Sequence, residues 1–302
     1  MWKSILLSAL LLGLSLLMAG QSSTDPHPNE IAFMTDFGLT DDSVAICKQV
    51  MYNIDPTVRI LDISHEVTPF SILDGARYLE GMSGYVPQGT VFVAVIDPGV
   101  GTSRKAIVAK SKKGNYYVLP DNGLLTYLLN HEGIEAARGI TNRKWMLGEA
   151  TSSTFHGRDI FSPVGAHLAR GENWTEVGAE VPVSELVRLP VTEPRIIDGV
   201  LRGQVIGTDG PFGNLITNVS GEEFSELGYK HGDTLHLTLG TREFDMPFVK
   251  TFGDVAIGSP LAFIDSRERL SFSLNQTNFA KTYNIKPPVD FSIPGKKSAT
   301  GR

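Results

Sequence analysis

Apolar residues in the first half of the chain fall into short β-rich runs separated by helix-period segments. Ile31 to Thr35 is an apolar strand that stops at Asp36-Phe37-Gly38. A helix follows, with Thr40 or Asp41 placed to cap it and acids in its first turn. Val58 to Ile63 predicts a second strand, and Ile72, Ala76 and Leu79 mark a second helix. Thr90 to Ile96 is β-branched and aromatic, the pattern of a buried strand. Asn115 to Leu119 predicts another strand, after which Asp121 is placed to cap a short helix through Leu129. Ser162-Pro163 has the form of an N-cap with proline at the first helical position, and Ile160, Val164 and Leu168 have the spacing of that helix's buried face. Strands alternating with helices predict an α/β domain over 31–190, built on a largely parallel sheet.

The pattern changes near Leu189. Pro190, Pro194 and Gly199 punctuate a linker. Short strand-like runs follow at Val200 to Ile206, Thr234 to Leu239, Leu261 to Ile264 and Leu270 to Leu274, separated by glycines and turn residues. This second half, 196–290, is expected to be an all-β, barrel-like domain. Residues 291–302 are expected to be a solvated tail.

The ends need separate treatment. Lys3 precedes an almost wholly apolar run from Ile5 to Met18, and small residues follow at Ala19, Gly20, Ser22 and Ser23. Residues 1–20 therefore have the form of a secretory signal peptide, with 21–30 as a flexible arm. The run is short for a membrane span of ~20 residues, and no cysteine follows it to carry a lipid. An exported protein, periplasmic or secreted and with no stable membrane association after cleavage, is the expectation.

Composition removes some classes of function. At 41% hydrophobic and 20% charged, the 302-residue chain has the means to bury a core. Its formal net charge of −6, with no Lys/Arg run, disfavours nucleic acid as a partner. The single cysteine, Cys47, has no intrachain partner and shares a helical face with Val44 and Met51, as a small buried hydrophobe would.

Polar residues gather where strands end, in four loops: Asp36 to Ser43, Asp97 to Arg104, Pro120 to Asn122 and Thr154 to Asp159. In open α/β sheets that edge binds ligands. Asp36 precedes the first helix by too far to cap it, so a ligand role suits it, whereas Asp41 and Asp42 suit capping equally well. The Asp97-Pro98-Gly99-Val100-Gly101-Thr102-Ser103-Arg104 loop matches neither GxGxxG nor a P-loop. Its glycines bring backbone close to a ligand and place Asp97 near Arg104, as a salt bridge or a reactive pair. His156 is a candidate proton carrier or an ordinary loop histidine. No second His stands at metal-ligand spacing and no Cys cluster exists, so no metal is expected. GxSxG is absent, which removes the common serine-hydrolase elbow. No acid pair at a shared site identifies a glycosidase. In the second half, the Pro-Phe-Gly turn within Asp209 to Asn218 can expose Phe212 for stacking and Asn214 for hydrogen bonds to a base edge, and Asp265-Ser266-Arg267 can hold a carboxylate.

Taken together, these loops resemble one family, the S-adenosyl-L-methionine (SAM) hydroxide adenosyltransferases, the water-using branch of the fluorinase/chlorinase-like superfamily. The resemblance runs from about Ile31 to about Asn275. It rests on Thr-Asp-Phe-Gly-x-x-Asp-Asp-Ser, Asp-Pro-Gly-Val-Gly-Thr-x-Arg, Thr-Phe-His-Gly-Arg-Asp and Asp-x-Pro-Phe-Gly-Asn. It implies Asp36 on the ribose hydroxyls, with Asp41 and Ser43 near the methionine amino acid group. It implies a water-activating trio of Asp97, Arg104 and His156, an adenosine pocket lined by Asp209, Phe212 and Asn214, and a methionine-carboxylate clamp of Ser266 and Arg267. SAM is then substrate, no cofactor is needed, and the products are adenosine and L-methionine. The family's site lies between subunits of a homotrimer. The halogenating branch has Tyr and Thr where this chain has Asp97 and Val100, Trp where it has Phe70, and an insertion absent here between Arg104 and Tyr116. The alternatives are a SAM-dependent halogenase and a non-catalytic exported receptor for adenosine or SAM. Such a receptor would need no Asp97, Arg104 and His156 together.

Overall fold

The computed structural model describes residues 29–148 and 151–296; the expected signal peptide, all but the end of the arm, and residues 297–302 lie outside them. The first half contains β1 (Glu30–Thr35), α1 (Ser43–Ile54), β2 (Arg59–Ser64), α2 (Ile72–Ser83), β3 (Val91–Val95), β4 (Ala106–Ser111), β5 (Tyr116–Pro120), α3 (Thr126–His131), β6 (Ile134–Gly139), α4 (Ser162–Ala169) and β7 (Glu180–Val181). Its seven-stranded sheet has the order β2-β1-β3-β5-β4-β6-β7. β2, β1, β3 and β5 run parallel to one another, and β4, β6 and β7 extend the sheet antiparallel from β5.

The unbroken apolar runs of β1 and β3 arise because both sheet faces are covered. Ile31, Phe33 and Val93 face Cys47 and Met51 of α1 and Val164 of α4. Ala32, Met34, Phe92 and Ala94 face Leu79 of α2 and Leu128 of α3. Cys47 is fully buried, and burial pushes its thiol up to about 11. It therefore behaves as a hydrophobe at neutral pH.

Three local expectations need correction. Asp42 occupies the N-cap of α1 but makes no side-chain cap bond. Asp41 takes the Ser43 N–H instead, at 2.9 Å. Asp121 does not cap α3; its carboxylate accepts the Val187 N–H at 2.9 Å, and the helix starts later, where the Thr126 hydroxyl donates to the Gly123 carbonyl at 2.6 Å. Ser162 is not an N-cap: it is the first residue of α4, with Pro163 second. A π-helical turn, Gly157–Phe161, runs directly into α4, because the chain is already wound when the Asp159 N–H reaches the Phe155 carbonyl.

The second half contains β8 (Arg195–Ile197), β9 (Val200–Asp209), β10 (Asn214–Ser220), α5 (Gly221–Ser225), β11 (Thr234–Leu239), β12 (Arg242–Pro247), β13 (Pro260–Ile264), β14 (Arg269–Leu274), α6 (Phe279–Tyr283) and β15 (Val289–Pro294). The eight-stranded antiparallel sheet has the order β12-β11-β15-β9-β10-β14-β13, with β8 paired to β9. A bridge from Phe248 to Ala262 nearly closes it into a barrel around Val205, Leu237, Phe272 and Phe291. The linker expected around Pro194 and Gly199 holds a hairpin, β8–β9, turned by Asp198 and Gly199 at positive φ. The tail expected from residue 291 is instead barrel strand through Pro294, with Phe291 and Ile293 buried.

Candidate active site

Because β1, β3 and β5 are parallel, the residues that follow them emerge on one edge. Asp36 follows β1, Asp97 follows β3 by two residues, and Asn122 follows β5 by two. Asp36 Oδ2 accepts the Phe70 N–H at 2.8 Å. Phe70 adopts φ 66° and leaves its ring 74% exposed. A large residue at positive φ is strained, and such strain concentrates at ligand sites. Asn122 Nδ2 donates to the Ile96 carbonyl at 2.9 Å and so braces the peptide just before Asp97.

Asp97, Arg104 and His156 form one connected unit. Arg104 Nε lies 2.9 and 3.1 Å from the two Asp97 oxygens, and Nη2 also donates to Oδ2. The same Nη2 stands 2.7 Å from His156 Nδ1. The pair is largely shielded, with 11% of the Arg104 side chain and 5% of the Asp97 side chain exposed. Arg104 also lies over the Phe161 ring, 5.3 Å from its centroid. Burial, and next the Arg104 charge, hold the His156 imidazolium below its ordinary stability. The glycines make this closeness feasible. Gly101 is at φ 76°, and a β-carbon there would run into the Ser153 carbonyl. A β-carbon on Gly157 would stand 2.9 Å from Phe37 Cζ.

Asp36, Asp97 and His156 line a cavity of about 230 Å³ together with Phe37, Phe70 and Val100. That is smaller than the roughly 300–1,000 Å³ usual for a small-molecule pocket. Asp41 and Ser43 are not among its lining residues; Asp41 is exposed, with its carboxyl held below the usual range by the Ser43 bonds.

The second-half residues lie elsewhere in the same chain. Asp209, Phe212 and Asn214 line a separate cavity of about 760 Å³ with Phe252 and Asn278. Asn214 is fixed on both ends of its amide, donating to Asp209 Oδ2 at 3.2 Å and accepting from the Ser273 hydroxyl. Gly213, at φ 68°, turns the hairpin and packs against Asn278. Phe212 is 67% exposed. Ser266 and Arg267 line a third cavity, of about 530 Å³, at the seam between the halves with Arg77, Glu80 and His131. Their loop is shaped by Asp265, whose Oδ1 accepts the N–H groups of Arg267 and Arg269 at 2.8 and 3.0 Å. One chain thus unites Asp36 with the trio, but keeps both second-half groups apart from them.

Comparison with known proteins accounts for this combination of loops. Residues 31–178 match the SAM hydroxide adenosyltransferase N-terminal domain, and residues 203–290 match its C-terminal domain. The chain belongs to the SAM hydroxide adenosyltransferase family. Members of this family process SAM. The chain is 39% identical over 258 residues to an (R)-S-adenosyl-L-methionine hydrolase of Salinispora tropica, covering 85% of this chain and 94% of the relative. It is 36% identical over 288 residues to a fluorinase of Actinoplanes sp., covering 87% and 96%. A crystal structure of an uncharacterized conserved protein from Thermotoga maritima superposes with a TM-score of 0.83 at 37% identity, covering 87% of this chain and 99% of that one. In this member of the family, sequence patterns pointed to Asp36, Asp97, Arg104 and His156. They gave no role to Asn122, whose brace is visible only once β3 and β5 are seen side by side.

Proposed function

We propose that this protein hydrolyses SAM to adenosine and L-methionine. The observation that carries this is that Asp97 and His156, joined through Arg104, line the same cavity as Asp36. In the reaction, a water oxygen attacks ribose C5′ and the C5′–S bond breaks. Its electron pair passes to sulfur, so methionine leaves as a neutral thioether and the leaving group needs no acid. The attacking water gives one proton to the Asp97 carboxylate, which passes it to solvent, and its oxygen becomes the 5′-hydroxyl of adenosine. The demand on the protein is to hold and orient that water and to stabilise hydroxide character as it develops. Arg104 supplies the positive charge, the Asp97 carboxylate accepts a hydrogen bond from the water, and His156, its Nδ1 taken by Arg104, fixes the guanidinium and has its Nε2–H left to orient the water.

Halogenation is the competing chemistry, since fluorinases are among the relatives. In this chain Arg104 is already neutralised by Asp97, so a halide beside the pair meets a carboxylate and gains no net attraction. Water binds as a neutral molecule and gains hydroxide character only as Asp97 takes its proton, when the Arg104 charge is no longer offset. The fluorinase alignment also spans 288 positions while taking up 87% of this chain, against 258 and 85% for the hydrolase. The extra positions are fluorinase segments without a counterpart here, consistent with the missing insertion after Arg104.

The same proposal includes a homotrimer and export. A neighbouring copy that presents Phe212, Asn214, Ser266 and Arg267 to the Asp36 cavity would give SAM its remaining walls. The leader at 1–20 would place the mature protein outside the cytoplasmic membrane, which N-terminal sequencing of the mature chain tests. The activity test is incubation of purified protein with each sulfonium epimer of SAM, with and without chloride or fluoride, followed by chromatography. Adenosine and methionine in equal amounts, unaffected by halide, are expected. A 5′-halogenated nucleoside as the main product would replace hydrolysis with halogenation, and binding without turnover would leave a receptor.

A further inference from the structure

The Asp36 loop is held from behind by a residue that lines none of the three cavities described above. His65, just beyond β2, is 4% exposed and packs edge-on to Phe33, with ring centroids 4.8 Å apart. Its Nδ1 lies 2.9 Å from the hydroxyl of Thr35, itself fully buried at the end of β1. That hydroxyl also accepts the Phe37 N–H at 3.3 Å. The His65 carbonyl accepts the Gly38 N–H at 2.8 Å. One residue therefore grips the loop on both sides of Asp36, through its ring before it and through its backbone after it.

The charges behind the ring fix its tautomer. Nε2 stands 3.1 Å from Asp62 Oδ1, off the line of a good hydrogen bond but within range of charge attraction. Asp62 is itself paired with Lys48 of α1 at 2.6 Å. A carboxylate there favours the proton on Nε2, which leaves Nδ1 as acceptor for the Thr35 O–H. The Thr35 oxygen keeps a lone pair for Phe37. Every hydrogen-bonding group in this buried chain then has one consistent role, and an apolar side chain at position 65 would orphan the Thr35 hydroxyl.

We infer that His65, acting through Thr35, is a positioning residue that sets the Asp36 carboxylate for the nucleoside ribose. This rests on the assignment of Asp36 to the ribose diol. Because the ribose contact is present before and during reaction, its misplacement should raise KM and spare kcat.

The test compares His65→Leu, Thr35→Val, His65→Asn and Asp36→Ala, using adenosine titration by calorimetry and SAM kinetics. His65→Leu and Thr35→Val should weaken adenosine binding about fivefold or more, the loss of roughly one hydrogen bond. They should raise KM for SAM in parallel and leave kcat within about twofold. His65→Asn keeps an oxygen acceptor near the Nδ1 position and should restore affinity. If Asp36→Ala weakens adenosine binding while folded His65→Leu and Thr35→Val do not, the positioning role is overturned and the ribose assignment stands. If Asp36→Ala itself leaves adenosine affinity unchanged, the ribose assignment fails and takes the inference with it. Should His65→Leu not fold, Thr35→Val, which removes only the hydroxyl, carries the same comparison.

Discussion

Nη2 of Arg104 points at Nδ1 of His156 across 2.7 Å. A guanidinium only donates, so Nδ1 must accept, and the neutral ring carries its proton on Nε2. Protonating Nδ1 would set two donors and two positive charges against each other. Burial and Arg104 already depress the His156 pKa below 6.5. Activity is therefore expected to hold through neutrality and to fall on the acid side, at a pH below that of an ordinary histidine. The stability linkage has the same sign. The unfolded chain takes up this proton first as pH drops, so the stability from neutral His156 is full above about 6.5. It is lost as pH falls through the folded value. A pH–rate profile whose acid limb is unchanged in His156→Gln would remove His156 from this role.

Arg104→Ala should separate catalysis from packing. Losing the only cation in the trio should lower kcat by about 10²–10³-fold, the scale of removing one preorganised charge-stabilising donor. It also leaves the shielded Asp97 carboxylate unpaired, which costs roughly 3–5 kcal/mol of stability for a fully buried pair and less here. Adding Asp97→Asn should restore part of the melting temperature but none of the turnover. Single-turnover rates and melting curves on the same samples decide between the two effects. A folded Arg104→Ala protein with wild-type turnover would reduce the pair to a loop brace.

Gly101→Ala tests how the trio is assembled. The added β-carbon meets the Ser153 carbonyl, and φ 76° costs a non-glycine residue about 1–2 kcal/mol. The loop must move away from the 151–156 segment, which separates Arg104 from His156. A lower melting temperature is expected together with a kcat loss larger than the fraction unfolded explains.

The proposed sharing of each site between two subunits predicts complementation. Asp36→Ala and Asn214→Ala proteins should each be weak, yet subunits mixed by unfolding and refolding together should recover activity. Some sites then join an intact Asp36 to an intact Asn214 from different chains. Unrecovered activity in a mixed oligomer would place the whole site within one chain.

Much of the first half was legible because both faces of β1 and β3 are buried, and continuous apolar runs ending in acids are hard to mistake. The strands β4, β6, β7, β8, β10, β12 and β15 were not found. Ala106–Ser111 and Arg242–Pro247 mix charged and apolar residues without a clean period, because they lie outside the parallel core or near the barrel's open seam. Asp121 and Ser162 looked like caps by local chemistry, but tertiary contacts claimed them: Val187 lies 66 positions beyond Asp121, and the winding at Gly157 begins before Ser162. The trio was legible as residue types at strand ends. His65 was not, since its function depends on Thr35, 30 positions away.

The place of β15 in the barrel bears on how the protein is made. It is the last described strand in the chain, yet it sits inside the sheet, paired along Val289–Pro294 with β9 and at Phe291 and Ser292 with β11. During synthesis, β9 and β11 must wait with one edge unpaired until residue 294 has left the ribosome, whereas the α/β half has all its strands once residue 181 has emerged. Truncation before Val289 would then remove the strand that pairs β11 with β9, leaving the Phe248–Ala262 bridge as the ladder contact that ties β11–β12 to the rest and two unpaired edges open to association with other chains.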